Sequence, residues 1–166
     1  MKIKIQKKLG FSIVEIMAVI LVVSVGMISM MGLINQSIRV QRLNKHTLIA
    51  YQLAQEGIEL VRVIRDDNWF SENPDDFTVA LNEGSYCIDI DNINLNNPQN
   101  SPCSLYFDNN DFYVHSSSEN SSPYSRLVTI SEHEEDHAMK VEVEISWKDA
   151  GRDLQYNVET KLYDWY

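Results

Sequence analysis

The sequence predicts an α+β protein in which a long amino-terminal helix packs on a carboxy-terminal antiparallel β-sheet head. Three observations predict it. Residues 11–34 carry one charge in 24 residues, and apolar side chains then recur at spacings of three and four as far as Ile64, with no proline before Pro74. From Met139 onward the period changes to two, the signature of half-buried strands.

As a helix, residues 11–34 are roughly 36 Å long against a hydrocarbon core of about 30 Å, enough to cross a membrane with some tilt. Lys2, Lys4, Lys7 and Lys8 precede the span. By the positive-inside rule these cations stay in the cytoplasm and everything after Ile34 is exported. A cleavable secretory signal has a shorter apolar core and a small-residue cleavage site, and neither is present.

Beyond the span the stripe of Ile38, Ala50, Leu53, Ala54, Gly57, Ile58, Val61 and Ile64 makes an amphipathic helix over residues 35–68. Glu59 with Arg62, and Arg62 with Asp66, are spaced to pair on its exposed face. The helix from residue 11 to about residue 66 spans roughly 84 Å. It ends near Asp66, Asp67 and Asn68, where turn formers cluster, and Trp69 and Phe70 are expected to fold back on it.

The head, residues 69–166, opens with a predicted hairpin of residues 77–81 and 85–90 around Asn82-Glu83-Gly84. Residues 91–102 are Asn-rich and read as loop. Short strands over 105–107 and 112–115 flank Asp108-Asn109-Asn110-Asp111, and residues 116–122 read as a polar, mobile segment. Met139, Val141, Val143, Ile145 and Trp147 then alternate with polar residues, the chain turns over 148–152, and Tyr156, Val158, Thr160 and Leu162 alternate on the return. With residues 127–130 as partner, these strands form an antiparallel sheet with one buried face, which the amphipathic helix covers.

Glu15 is the anomaly in the apolar span, because a carboxylate at membrane depth is costly and marks a site with a partner. No cation lies within helical reach of it. A new amino terminus at Phe11 would bring a positive charge near a Glu15, best between staggered helices of neighbouring subunits. The plain alternative is an ordinary anchor that tolerates one Glu near its end.

At Leu9-Gly10-Phe11-Ser12-Ile13-Val14-Glu15, with lysines before it and an unbroken apolar run after it, the chain resembles the type IV prepilins and pseudopilins with their class III signal. The firm resemblance covers residues 7–34. It implies a cytoplasmic leader, residues 1–10, cut after Gly10 by a prepilin peptidase that also methylates the new terminus, Phe11. It places the family's essential glutamate at Glu15, where it would neutralise the amine of a neighbouring subunit during assembly. Many major pilins carry a proline where this chain has Gly32, and Val25-Gly26-Met27 with Met31-Gly32-Leu33 looks more like a minor pilin. The implied partners are the peptidase, other pilin subunits, the assembly machinery and the membrane.

The net charge of −10 hides a segregation: residues 1–65 carry nine basic and three acidic side chains, and residues 66–166 carry five basic and 21 acidic. Residues 66–166, with a net charge of −16, are no general nucleic-acid binder, since phosphate neutralisation needs clustered Lys and Arg. Cys87 and Cys103 are the only cysteines and both lie in the exported part, where disulfides persist. A bridge between them is expected, with two free thiols as the alternative.

His133-Glu134-Glu135-Asp136-His137 matches H-E-x-x-H, which in a zincin lies on a helix that presents both histidines to zinc. Here it falls between two predicted strands with no helical apolar pattern, and reads as a solvated loop. Asp89, Asp91, Asn92, Asn94 and Asn96 alternate oxygen ligands, but Ile93 stands where a calcium loop needs one and the turn glycine is missing. No metal, cofactor or catalytic residue is assigned. The expected function is a type IV pilin-like structural subunit, held in the cytoplasmic membrane with its head outside and then assembled into a filament. A pseudopilin of a type II secretion or DNA-uptake apparatus is the neighbouring alternative, and a single-pass anchored sensor or binding domain is the alternative from another class.

Overall fold

The computed structural model describes residues 10–70, 81–91, 93, 95, 98–116, 120–133 and 138–163. Its elements are α1 (Ile13–Trp69), β1 (Gly84–Tyr86), β2 (Cys103–Phe107), β3 (Tyr113–Val114), β4 (Ser121–His133), β5 (Ala138–Asp149) and β6 (Arg152–Tyr163). The α+β class is as the periodicities predict. The chain divides into two compact units, residues 1–44 and 45–166.

In the first unit, every described residue up to Arg42 is exposed, including Ile13 at 78%, Val22 at 69% and Met31 at 69%. The sequence explains both halves of that result. The span is rich in β-branched Val and Ile, so it is its unbroken hydropathy and freedom from proline, not helix propensity, that suit it to a helix satisfied by local hydrogen bonds, and its all-round apolar surface has nothing in its own unit to bury against. Ser24 Oγ and Ser29 Oγ donate to the carbonyls of Ile20 and Val25, four residues back, so both hydroxyls are satisfied within the helix. α1 is long and apolar enough to cross a membrane. Ile38, expected on the buried stripe, is 60% exposed and belongs to this unit.

In the second unit, the carboxy-terminal part of α1 covers a six-stranded antiparallel sheet of order β3-β2-β4-β5-β6, with β1 also paired to β4. Ala50, Leu53, Ala54, Gly57, Ile58 and Val61 are buried at the helix–sheet interface, joined by Leu60, which the stripe did not predict. Gly57 lets the helix approach the sheet closely: a Cβ built there would lie 3.0 Å from Val143 Cγ1 and 3.4 Å from Val128 Cγ2. The facing sheet positions Val128, Ile130, Val141, Val143 and Ile145 are all at most 1% exposed. Fully burying an aliphatic side chain of this kind stabilises the fold by about 1.5–3 kcal/mol, so this layer is the main source of head stability.

β5 and β6 form the hairpin the alternation predicts, with twelve register pairs from Asp149↔Arg152 to Ala138↔Tyr163. Ala150 and Gly151 take φ of 51° and 79°, the two left-handed residues of the tight turn that matches strand twist. Several expectations need correcting. Ser121 and Ser122 belong to β4, which runs 13 residues rather than covering only 127–130. Residues 84–86 pair with β4; of the expected hairpin partner, residues 77–80 lie outside the described residues and Leu81 is buried but not in a strand. Trp69 ends α1 half-buried, with the Arg65 guanidinium 4.5 Å above its ring, whereas Phe70 is 88% exposed. Arg62 pairs with Glu59 as expected, but Asp66 pairs with Arg65.

Candidate functional site

The residues expected to serve in processing and assembly, Gly10, Phe11 and Glu15, lie at or just before the start of α1. Gly10 and Phe11 precede it without regular structure, and Phe11 is 79% exposed. Ser12 sits at the amino-cap position: its carbonyl accepts the N–H groups of Glu15 at 3.0 Å and Ile16 at 3.2 Å. A short polar residue is favoured there because it can satisfy helix donors that have no earlier partner. Glu15 falls in the first turn, where a carboxylate opposes the positive end of the helix dipole. Ser12 to Glu15 is thus also the S-x-x-E spacing of a capping box, a local role for Glu15 that the sequence reading passed over. Glu15 borders two apolar grooves on the helix surface, one of about 300 Å³ with Ala18, Val19, Val22 and Val23, the other of about 270 Å³ with Phe11, Ile16, Val19 and Ile20.

The head is held by a buried polar hub that sequence reasoning missed. Arg126 lies on the inward face of β4, its side chain fully buried. It donates from Nη1 to Glu56 Oε1 at 3.0 Å and to the Leu53 carbonyl at 3.3 Å, both on α1, and from Nη2 to the Ile88 carbonyl at 2.7 Å. One cation therefore ties the helix, the central strand and the segment after β1. The signal was present: Arg126 occupies the inward phase shared by Tyr124, Val128 and Ile130.

Cys87 and Cys103 form a disulfide with a Cα–Cα separation of 5.9 Å, linking the segment after β1 to the start of β2. Asp89, two residues on, is 1% exposed and accepts the N–H of Asp91 at 3.0 Å and the N–H of His115. These bonds give Asp89 a structural role, while Asn92, Asn94 and Asn96 of the expected oxygen series lie outside the described residues. His115 Nδ1 lies 3.1 Å from the Ser104 carbonyl. Burial pushes the His115 pKa down and the Arg126 charge pushes it further, against the opposing influence of the Ser104 carbonyl and Asp89. Burial likewise pushes the Tyr124 pKa up to about 12, with Tyr113 adding to it, so this phenol stays protonated and hydrogen-bonds His46 Nδ1 at 2.7 Å.

Of the H-E-x-x-H stretch only the first residue is described. His133 is the last residue of β4, paired with Ala138 at the start of β5, and residues 134–137 lie outside the described residues. Among the described residues, no group of three or more His, Cys, Asp or Glu side chains is placed to hold a metal.

What the geometry defines is a class of architecture: one candidate membrane-spanning helix near the amino terminus, compatible with single-pass anchoring, and a disulfide-bonded helix-on-sheet head. No protein-family model, curated protein or solved structure matches the chain.

Proposed function

We propose that the chain is a type IV pilin-like structural subunit, cleaved after Gly10 by a prepilin peptidase and assembled through its amino-terminal helix into a filament with its acidic head outside. The observation that carries this reading is the Leu9-Gly10-Phe11-Ser12-Ile13-Val14-Glu15 motif at the head of a helix whose membrane-length window has none of its residues buried. An apolar helix with no cover of its own is what subunit packing requires, because neighbouring helices can then replace lipid around it. In this reading the work is assembly and not catalysis. Glu15 sets register by pairing with the amine of a neighbouring Phe11, an interaction strong in low dielectric only when both charges are matched.

The test is intact and peptide mass spectrometry on the protein from its native host. A chain beginning at N-methylated Phe11 is the expected result. A chain still beginning at Met1, in cells whose other prepilins are processed, refutes the proposal. Glu15→Ala is expected to insert and be cleaved but to enter filaments poorly; normal incorporation would remove the register role. Gly32, in place of the proline of many major pilins, favours a minor subunit, and the filament that co-purifies distinguishes a pilus from a type II secretion or DNA-uptake pseudopilus. A second reading, a single-pass anchored sensor or binding domain, is favoured by one observation: the Ser12–Glu15 spacing gives Glu15 a task within its own chain.

A further inference from the structure

We propose that residues 35–44 of α1 form a docking band for anionic phospholipid headgroups, with Arg39 and Arg42 holding the phosphates and Ile38 and Val40 lying at the edge of the acyl chains. These residues follow directly on the apolar run that ends at Ile34. Both arginines are exposed, and Ile38 and Val40 beside them are 60% and 46% exposed. A polar spacer would not carry the apolar pair, and a continued membrane span would not carry the cations. The boundary between water and lipid takes both, because the stems and methyl groups stay with the acyl chains while the charges reach the headgroups.

The sequence leaves these charges on one sign. No acidic residue stands between Glu15 and Glu56, and Arg39, Arg42 and Lys45 all fall within eleven residues of Ile34. Cations on this side work against the orientation set by the four leader lysines, a cost that an anionic surface beside them offsets.

Helix geometry selects the source of the negative charge. Arg39 and Arg42 stand five and eight residues beyond Ile34, about 7.5 and 12 Å along the axis. Helical side chains lean toward the amino terminus and cover the turn before their own Cα, which here is the direction of the apolar span. The two guanidinium groups therefore come about 2 and 7 Å past the end of the span, within a headgroup layer about 5–7 Å deep. Three residues apart, they share one helix face, and Ile38 lies on it one turn before Arg42. Phosphate is the negative charge at that depth; an acidic residue of another head would have to enter the layer to compete. The inference rests on the membrane-span part of the pilin reading and adds a lipid partner to it.

The experiment uses the full chain in phosphatidylcholine vesicles, with Asn35→Cys carrying a fluorophore one turn before Arg39. Cys87 and Cys103 are bridged, so the new thiol is labelled alone. Quenching is compared for equal small fractions of nitroxide-labelled phosphatidylglycerol and nitroxide-labelled phosphatidylcholine. The leader lysines precede the other end of the span, so their attraction is not read at residue 35. Each cation at an anionic surface gives roughly a fivefold local enrichment, so at low salt the anionic lipid should be enriched fivefold or more over the zwitterionic one. The preference should fall toward unity with Arg39→Gln and Arg42→Gln together, persist with Arg39→Lys and Arg42→Lys together, and fade at about 1 M salt, where the Debye length is about 3 Å. Equal quenching by the two lipids overturns the proposal and leaves the acidic head of another copy as the partner. A preference that persists in the double glutamine variant overturns it as well. Insertion into neutral vesicles and cleavage after Gly10 are read separately, so loss of lipid selectivity is distinguishable from failure of the span or of the pilin reading.

Discussion

Removing either member of the Glu56–Arg126 pair should destabilise the head, and by unequal amounts. Glu56→Ala leaves a guanidinium with no exposure, holding only the Leu53 and Ile88 carbonyls. Breaking a buried pair costs about 3–5 kcal/mol, and the lower end applies because the Glu56 side chain is 38% exposed and water reaches that side of the pair. Arg126→Met instead frees Glu56 to turn toward water and leaves the Ile88 carbonyl without its donor, a loss of about 2 kcal/mol. The double variant has no stranded charge, so it should resemble Arg126→Met alone, a coupling of about 3 kcal/mol. Urea denaturation of the full chain in micelles, followed by tryptophan fluorescence, reads this directly: Glu56→Ala should lower the midpoint by about 1.5–2 M at the slope usual for a head of this size. If the two single losses simply add in the double variant, Arg126 is not a charge hub and the account of how helix, strand and segment 87–91 are held together is wrong.

Gly57→Leu should separate α1 from the sheet, since even a Cβ would lie 3.0 Å from Val143, and overpacking of this kind costs about 1–3 kcal/mol; an unchanged denaturation midpoint would mean the interface can slide. Cys87→Ser with Cys103→Ser should cost about 3 kcal/mol on the chain-entropy account of the closed loop, read as a lower midpoint in the oxidised but not the reduced protein. The His115 pKa is held below its ordinary value of 6.5, so as pH falls through 6.5 the unfolded chain takes up a proton that the folded head does not. Its contribution is thus present above that pH and lost progressively below it, and His115→Gln should flatten the fall in stability between about pH 7.5 and 5.

The sheet was legible wherever one strand face is buried and the other wet, because that contrast writes itself as strict alternation. Met139 to Trp147 and Tyr156 to Leu162 are the clear cases. Arg126 was passed over for the converse reason: although it keeps the inward phase, a charged residue there reads as an interruption, so the predicted strand begins at Leu127, whereas β4 starts at Ser121 and carries Arg126 inward, paired with Glu56. Residues 87–90 pattern like a strand because Ile88 is buried, yet they are held by the disulfide, by Arg126 and by the bonds of Asp89. Local periodicity does not record such long-range side-chain ties. The helix stripe was legible from Ala50 onward and misled at Ile38, which continues the apolar pattern of α1 but is 60% exposed and belongs to the other compact unit.

The two roles open to Glu15 differ in magnitude as well as in kind. A first-turn carboxylate gains about 0.3–1 kcal/mol from the helix dipole and caps. Carrying an acid at the centre of a membrane span costs about 2.5–3.5 kcal/mol, and four residues after Phe11 is about 6 Å into it, where a good part of that cost remains. Local capping at best offsets the position and gives no reason to select it. Pairing with a neighbour's amine would, because a well-matched pair offsets the desolvation cost of both charges at once. Glu15→Gln separates them. It preserves the S-x-x-E/Q spacing and the reach of the side chain while removing the charge. If capping is the role, the variant folds, inserts and assembles as the parent does. If pairing is the role, it folds and inserts normally but its incorporation into filaments falls as far as that of Glu15→Ala.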